Sequence, residues 1–135
     1  MGLWRFNMSW KLKNGYEVKY FKKEEFTCPC CGQTHIEDAF IERLDKARYI
    51  ANVPFVITSG YRCPKHNEKV GGVPDSAHVK GLAADIKCTN SSDRFKIVDA
   101  AIACGLKRIG IGADFIHLDY DLEKPRPVIW TYYKH

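Results

Sequence analysis

Apolar and polar positions change their spacing several times along this chain, and each change predicts an element. Ile36, Phe40, Ile41, Leu44, Ala47 and Arg48 recur at helical spacing, which places one apolar stripe on a helix over residues 37–51. Pro54 follows and stops it. Phe55-Val56-Ile57-Thr58 is a compact apolar run and predicts a short buried strand. Residues 59–81 lose periodicity and are rich in Gly, Pro, Asn, Ser and His, with room for a short helix over 64–70 that Gly71-Gly72 ends. Residues 82–87 predict a strand of small side chains. Ser91 or Ser92 then serves as N-cap for a helix over 93–104, with Phe95, Val98, Ile102 and Leu106 as its apolar face and Gly105 at the C′ position. Residues 108–111 and 115–118 read as the two strands of a hairpin, and residues 128–132 as a last strand. The closing strands have no helical crossovers between them. The pattern predicts an α+β fold, a small antiparallel sheet with helices packed to one side. Residues 1–27 form an irregular, aromatic-rich lead-in expected to pack on the domain of residues 28–135, a single domain overall.

Composition narrows the classes. A chain of 135 residues with 45% hydrophobic and 13% aromatic content is long enough to bury a core without disulfides or metal, and it is not the composition of a disordered segment. No apolar run approaches the ~20 residues of a spanning helix, so no membrane insertion is expected. The first residues lack the apolar core of a signal peptide, which predicts synthesis in the cytoplasm without an export signal and cysteines reduced at synthesis. The net charge is +5, but Lys11, Lys13, Lys19, Lys22 and Lys23 alternate with Glu17, Glu24 and Glu25 as on an ordinary solvated surface. With no zinc-finger spacing and no RNA-binding aromatic motif, nucleic acid is not an expected partner. A positive surface would equally favour an anionic polymer such as a bacterial envelope.

Two segments carry candidate chemistry. In Ser76-Ala77-His78-Val79-Lys80-Gly81-Leu82-Ala83-Ala84-Asp85 a loop His precedes an Asp on a small-residue strand, with Gly81 allowing a tight turn between them. In Asp114-Phe115-Ile116-His117-Leu118-Asp119, strand alternation puts Phe115, His117 and Asp119 on one face and Ile116 and Leu118 on the other. Two histidines and a carboxylate are three ligands for zinc with a fourth position open to water, the arrangement that separates catalytic from structural zinc. Taken singly, each of these residues is more often a surface or core residue than a ligand.

The motifs Ser-x-His-x-x-Gly-x-Ala-x-Asp and Phe-Ile-His-Leu-Asp, in this order, resemble the zinc D-alanyl-D-alanine carboxypeptidase family. That family is similar in turn to phage L-alanyl-D-glutamate endolysin peptidases, vancomycin-resistance dipeptidases and the hedgehog signalling domain. The resemblance extends from Glu25-Phe26 to Trp130. It includes Ser59-Gly60-Tyr61-Arg62-Cys63-Pro64-x-His66-Asn67 and Val70-Gly71-Gly72-Val73-Pro74, typical of the bacterial and bacteriophage branch. It implies that the sheet carries a zinc site with His78, Asp85 and His117 as ligands, and that Arg62 binds the substrate carbonyl and the developing oxyanion. Arg suits that task because its donors form a fixed fork and it stays charged. Related enzymes place a Glu three residues before the last zinc His; here Asp114, one methylene shorter, holds that position as the candidate general base. Asp119 is its rival, as a base, a substrate-binding group or an acceptor orienting His117. Ser76 is a loop-forming or substrate-binding group, since no His-activated serine pattern surrounds it.

The cysteines leave alternatives open. Cys28-x-x-Cys31 with His35 offers three soft ligands to a second, structural metal, and Cys63 a fourth. The rivals are a disulfide between one of this group and Cys63, and free thiols near the mouth of the site. Cys104 reads as a small core residue, and the pairing of Cys88 is open.

The function implied by the resemblance is zinc-dependent hydrolysis of peptide bonds in peptidoglycan stem peptides, D-Ala-containing bonds first, by a monomeric cell-wall enzyme acting on the wall or in the periplasm after release. An L-alanyl-D-glutamate endolysin and a non-catalytic zinc-containing binding module of the same fold are the alternatives, with a phage tail or baseplate component a weaker third.

Overall fold

The computed structural model describes residues 9–133; the first eight residues of the expected lead-in lie outside it, as do the last two of the chain. The elements run β1 (Trp10–Lys11), β2 (Glu17–Val18), a 3-10 turn (Lys23–Phe26), α1 (Asp38–Ala51), β3 (Ile57–Ser59), α2 (Pro64–Lys69), β4 (Ala83–Lys87), α3 (Ser91–Ala103), β5 (Arg108–Ile111), β6 (Phe115–Asp119) and β7 (Val128–Thr131). β1 and β2 pair as a short ribbon, and the other five strands form one sheet in the order β3-β4-β6-β5-β7. The fold is mixed α+β.

One correction concerns strand direction. β3, β4, β6 and β5 pair antiparallel, but β7 lies parallel to β5, so the sheet is mixed rather than antiparallel. β4 already occupies the outer edge of β6. The last strand therefore takes the free edge of β5, and residues 120–127 carry the chain across the sheet end to reach it.

α1 forms where the apolar stripe predicted it. Phe40, Ile41 and Leu44 are wholly buried, each contributing about 1.5–3 kcal/mol by burial. The helix ends at Asn52, in the left-handed region at φ 55°, with its N–H bonded to Arg48 O. α3 differs from expectation in two ways. Its N-cap is Asn90, one residue earlier, whose side chain accepts the Asp93 N–H at 2.8 Å. Its buried face is Ile97, Ala100 and Ala101, while Phe95 and Ile102 face solvent. Small residues let two helices approach closely, and Ala100 and Ala101 join the α1 side chains in the shared core. The predicted strand over residues 55–58 is displaced too: Phe55 is buried, but Val56 is exposed and pairing begins at Ile57.

Strand alternation divides the sheet. Ala84 and Ile86 of β4, Ile109 of β5, and Ile116 and Leu118 of β6 join the core beneath the helices. Asp85, His117 and Asp119 occupy the alternate positions. Residues 10–26 close one end of the core with Trp10, Leu12, Val18, Phe21 and Phe26. They are tied to α1 by the buried Asp45 carboxylate, which accepts the Tyr16 hydroxyl at 2.7 Å and the backbone N–H groups of Lys19 and Tyr20. No helix among the described residues is long and apolar enough to cross a membrane.

Candidate metal centre

Three segments converge on one point. β4 and β6 are adjacent, and their register sets Asp85 directly opposite His117. His78 arrives from a compact turn in which Val79 N–H bonds Ser76 O and Gly81 N–H bonds His78 O. Gly81 sits at φ +73°, and a Cβ there would stand 2.5 Å from the His35 carbonyl oxygen, so only glycine fits. Ser76 is buried, and its Oγ accepts the His78 backbone N–H at 3.2 Å. Asp85 Oδ1 then lies 3.2 Å from His78 Nε2 and 3.0 Å from His117 Nδ1.

The far nitrogens of both rings are engaged. His78 Nδ1 lies 2.7 Å from the Gly60 carbonyl and His117 Nε2 lies 2.6 Å from Asp119 Oδ2. Each acceptor draws the ring proton to its own side and leaves the other nitrogen's lone pair facing Asp85. That is how outer acceptors orient metal-ligating histidines. Two imidazole lone pairs and a carboxylate oxygen facing one another have no donor among them. A cation, or protons on the imidazoles, must sit there, and the donor set of two nitrogens and one oxygen suits zinc. With protons on the imidazoles in place of a cation, burial works against the Asp85 charge, but the hydrogen bonds then donated by His117 and His78 outweigh it and hold its carboxyl well below the usual carboxylate range. Burial opposes the His117 charge in the same way, and the bonds to Asp119 and Asp85 prevail and raise its pKa.

The surroundings are built around this point. Asp119 is buried; its Oδ1 accepts Arg108 Nε at 2.9 Å and the Asp121 N–H at 3.1 Å, so both oxygens are occupied by protein partners. Arg62 Nη2 lies 3.6 Å from Asp85 Oδ2, with Nε donating to Ser59 Oγ and Nη1 to Asn67 Oδ1. A cavity of about 400 Å³ opens above, lined among others by Arg62, Ser76, His78, Asp85, His117 and Trp130.

Several residues of this shell went unassigned in the sequence. Asn67, buried on α2, holds Arg62 and donates to Val73 O at 2.7 Å, fixing the Gly71-Gly72-Val73 wall of the cavity. The His66-Asn67 pair was visible in the motif, but its role depends on the α2 turn. Trp130 and Tyr132 reach the cavity only because β7 lies beside β5, and Arg108 lies over the Trp130 ring at 5.0 Å.

Other expected residues stand elsewhere. Asp114 is exposed on the turn before β6 and is outside the cavity lining; its carbonyl accepts the Cys88 N–H. Cys28, Cys31 and Cys63 bring their sulfurs within 4.8 Å of one another. Burial raises the Cys28 pKa, but the N–H groups of Cys63, Cys31 and Cys30 outweigh it and lower it to about 7. His35 is not in that trio: its Nε2 pairs with Glu37 at 2.9 Å, and its ring meets Tyr61 edge-on. All six cysteines are free, and Cys104 is half-buried against the core.

Comparison with known families decides the lineage. The family described as Peptidase M15 matches residues 19–119, a stretch that contains all three converging residues. The chain belongs to the peptidase M15 family. No curated protein matches it. Membership and the His78/Asp85/His117 cluster together make this M15 domain, similar to the zinc D-Ala-D-Ala carboxypeptidases, a zinc metallopeptidase. They support peptidoglycan-peptidase activity in general terms.

Proposed function

We propose that this M15 domain hydrolyses D-Ala-containing bonds of peptidoglycan stem peptides, with His78, Asp85 and His117 holding the zinc. The observation that carries the reading is the paired orientation of the two histidines by Gly60 O and Asp119, at the floor of a cavity with Arg62 on its edge. When bound, zinc supplies Lewis-acid polarisation of the scissile carbonyl and a water of lowered pKa.

The chain's own residues do the rest. Arg62 is held on two sides by Ser59 and Asn67, with Nη2 beside Asp85 at the cavity lining, where the guanidinium receives the substrate carbonyl oxygen and the charge that develops on it. Phe115, Trp130 and Tyr132 form an aromatic wall against which a peptide backbone packs and water is displaced. Lys124 and Arg108 add positive charge to the same cavity, which suits a peptide ending in a carboxylate. Ser76 is placed to keep the His78 turn closed. Asp119, with both oxygens engaged, acts by fixing the His117 ring. No proton-transfer step is placed on Asp114, whose carboxylate is exposed and outside the lining.

The positive net charge favours retention at an anionic wall, and action at the cell wall as a monomer, of endolysin type, follows from this reading. Digestion of purified peptidoglycan, followed by mass spectrometry of the fragments, tests it. Release of terminal D-Ala or new termini at D-Ala bonds supports the proposal. A new amine on D-Glu replaces it with L-alanyl-D-glutamate cleavage. No new termini at any zinc load overturns it.

A further inference from the structure

The cysteine trio lies apart from the cavity and is built from two distant segments. Cys28-Pro29-Cys30-Cys31-Gly32 folds into a tight turn: Gly32 N–H bonds Cys28 O at 2.9 Å and Cys28 N–H bonds Gln33 O at 2.8 Å. Gly32 takes φ +73°, which turns the chain after Cys31 so that the Gln33 carbonyl returns to the Cys28 N–H. Cys63 comes from the start of α2, thirty-five positions away. Its backbone N–H donates to Cys28 Sγ at 3.5 Å, and its own Sγ accepts the His66 N–H at 3.4 Å as the helix N-cap.

Backbone N–H groups aimed at sulfur stabilise the anionic thiolate. At this spacing three sulfurs can all ionise only with a cation among them to offset their charge. A disulfide joins only two of the three and leaves the third beside it. A tetrahedral zinc with Zn–S of ~2.3 Å sets its sulfurs about 3.8 Å apart, which agrees with a trio whose members all lie within 4.8 Å.

We propose that Cys28, Cys31 and Cys63 bind a second, structural zinc ion. Binding releases the three thiol protons and leaves three Zn–S bonds, with no change of oxidation state. The ion staples the turn at 28–32 to the segment that bears Arg62. That segment is already registered on the rest of the molecule: Tyr61 N–H bonds Phe26 O, Arg62 N–H bonds His78 O, and Gly60 O receives His78 Nδ1. A Cβ at Gly60 would stand 2.5 Å from Phe26 Cα, which shows how closely the two segments meet. The cysteine zinc thus positions Arg62 and the Gly60 carbonyl, and this last step rests on the roles given to them under the proposed function.

The test uses the full chain, purified in reductant and loaded with zinc. Elemental analysis should find about two zinc ions per chain, falling by one in Cys28→Ser and by one in His117→Ala. Loading with cobalt should give the near-ultraviolet thiolate-to-cobalt charge-transfer band. The band should vanish in Cys28→Ser and Cys63→Ser and persist in His117→Ala, a readout that needs no turnover. A wild-type chain without the cobalt band, or with a disulfide between Cys63 and Cys28 or Cys31 under the same reducing conditions, overturns the proposal. The outcomes also separate the two readings: a cobalt band with no peptidoglycan cleavage removes the peptidase proposal and keeps the cysteine site, and cleavage with no band does the reverse.

Discussion

The His78/Asp85/His117 cluster and the Cys28/Cys31/Cys63 cluster each gather three metal-binding side chains, but they are made differently. The first stands on the sheet: two of its members face each other across β4 and β6, and outer acceptors orient both rings. It opens into a cavity of about 400 Å³. The second stands on turns and a helix start, with backbone N–H groups as its support and no strand residue among its members. A strand ladder is stiff and holds a ligand position open toward substrate. A turn encloses an ion with sulfur and is suited to holding two segments together. The difference assigns chemistry to the first cluster and cross-linking to the second.

The largest effect expected in breaking this comparison comes from His117→Ala or His78→Ala. Each should remove one zinc and abolish peptidoglycan cleavage while the cysteine site keeps its cobalt band; loss of both metals at once would mean the clusters are not independent. Arg62→Ala should lower kcat/KM by about 10²–10³-fold with zinc content unchanged. Arg62→Lys should restore little of that loss, because a point charge cannot replace the fork. Recovery of most of the activity by Lys would limit the role to charge. Asp119→Asn should weaken zinc affinity or activity by about 10–100-fold, read by competition with a chelator, because the His117 ring loses its anionic acceptor.

Asp45→Ala probes the support behind the cysteine turn. It strands the Lys19 and Tyr20 N–H groups and should cost about 2–4 kcal/mol in urea unfolding. The segment preceding Cys28 should loosen first, seen as faster thiol modification at Cys28 than at Cys88. The smallest effect is expected for Asp114→Asn, which should leave kcat within a few-fold. A loss of about 100-fold or more would make Asp114 the general base.

Much of the site was legible because its ligands fall in two short segments with strand alternation, so spacing alone put His117 and Asp119 on one face. Residues that act across the fold were harder to see. Asp45 reads as an ordinary polar position of α1 until Tyr16, Lys19 and Tyr20 close over it. Half of the expected α3 face packs on the core, through Val98 and Leu106, but Phe95 and Ile102 face solvent because close packing against α1 selects the smaller Ala100 and Ala101. Asp114 matched a position in the sequence, but the turn that precedes β6 turns it to solvent.

The amino-acid order by itself determined most elements after residue 36 and the local turn at Gly81, because periodicity and glycine conformation are local properties, and its motifs carried the resemblance that implied the zinc-ligand trio. Only the tertiary structure decided that β7 lies parallel beside β5, that Trp130 and Tyr132 thereby reach the cavity, and that Cys63 rather than His35 joins Cys28 and Cys31. These are contacts between segments far apart in the chain. They are settled by which sheet edge is free and which faces can be buried together, and no window of sequence contains that information.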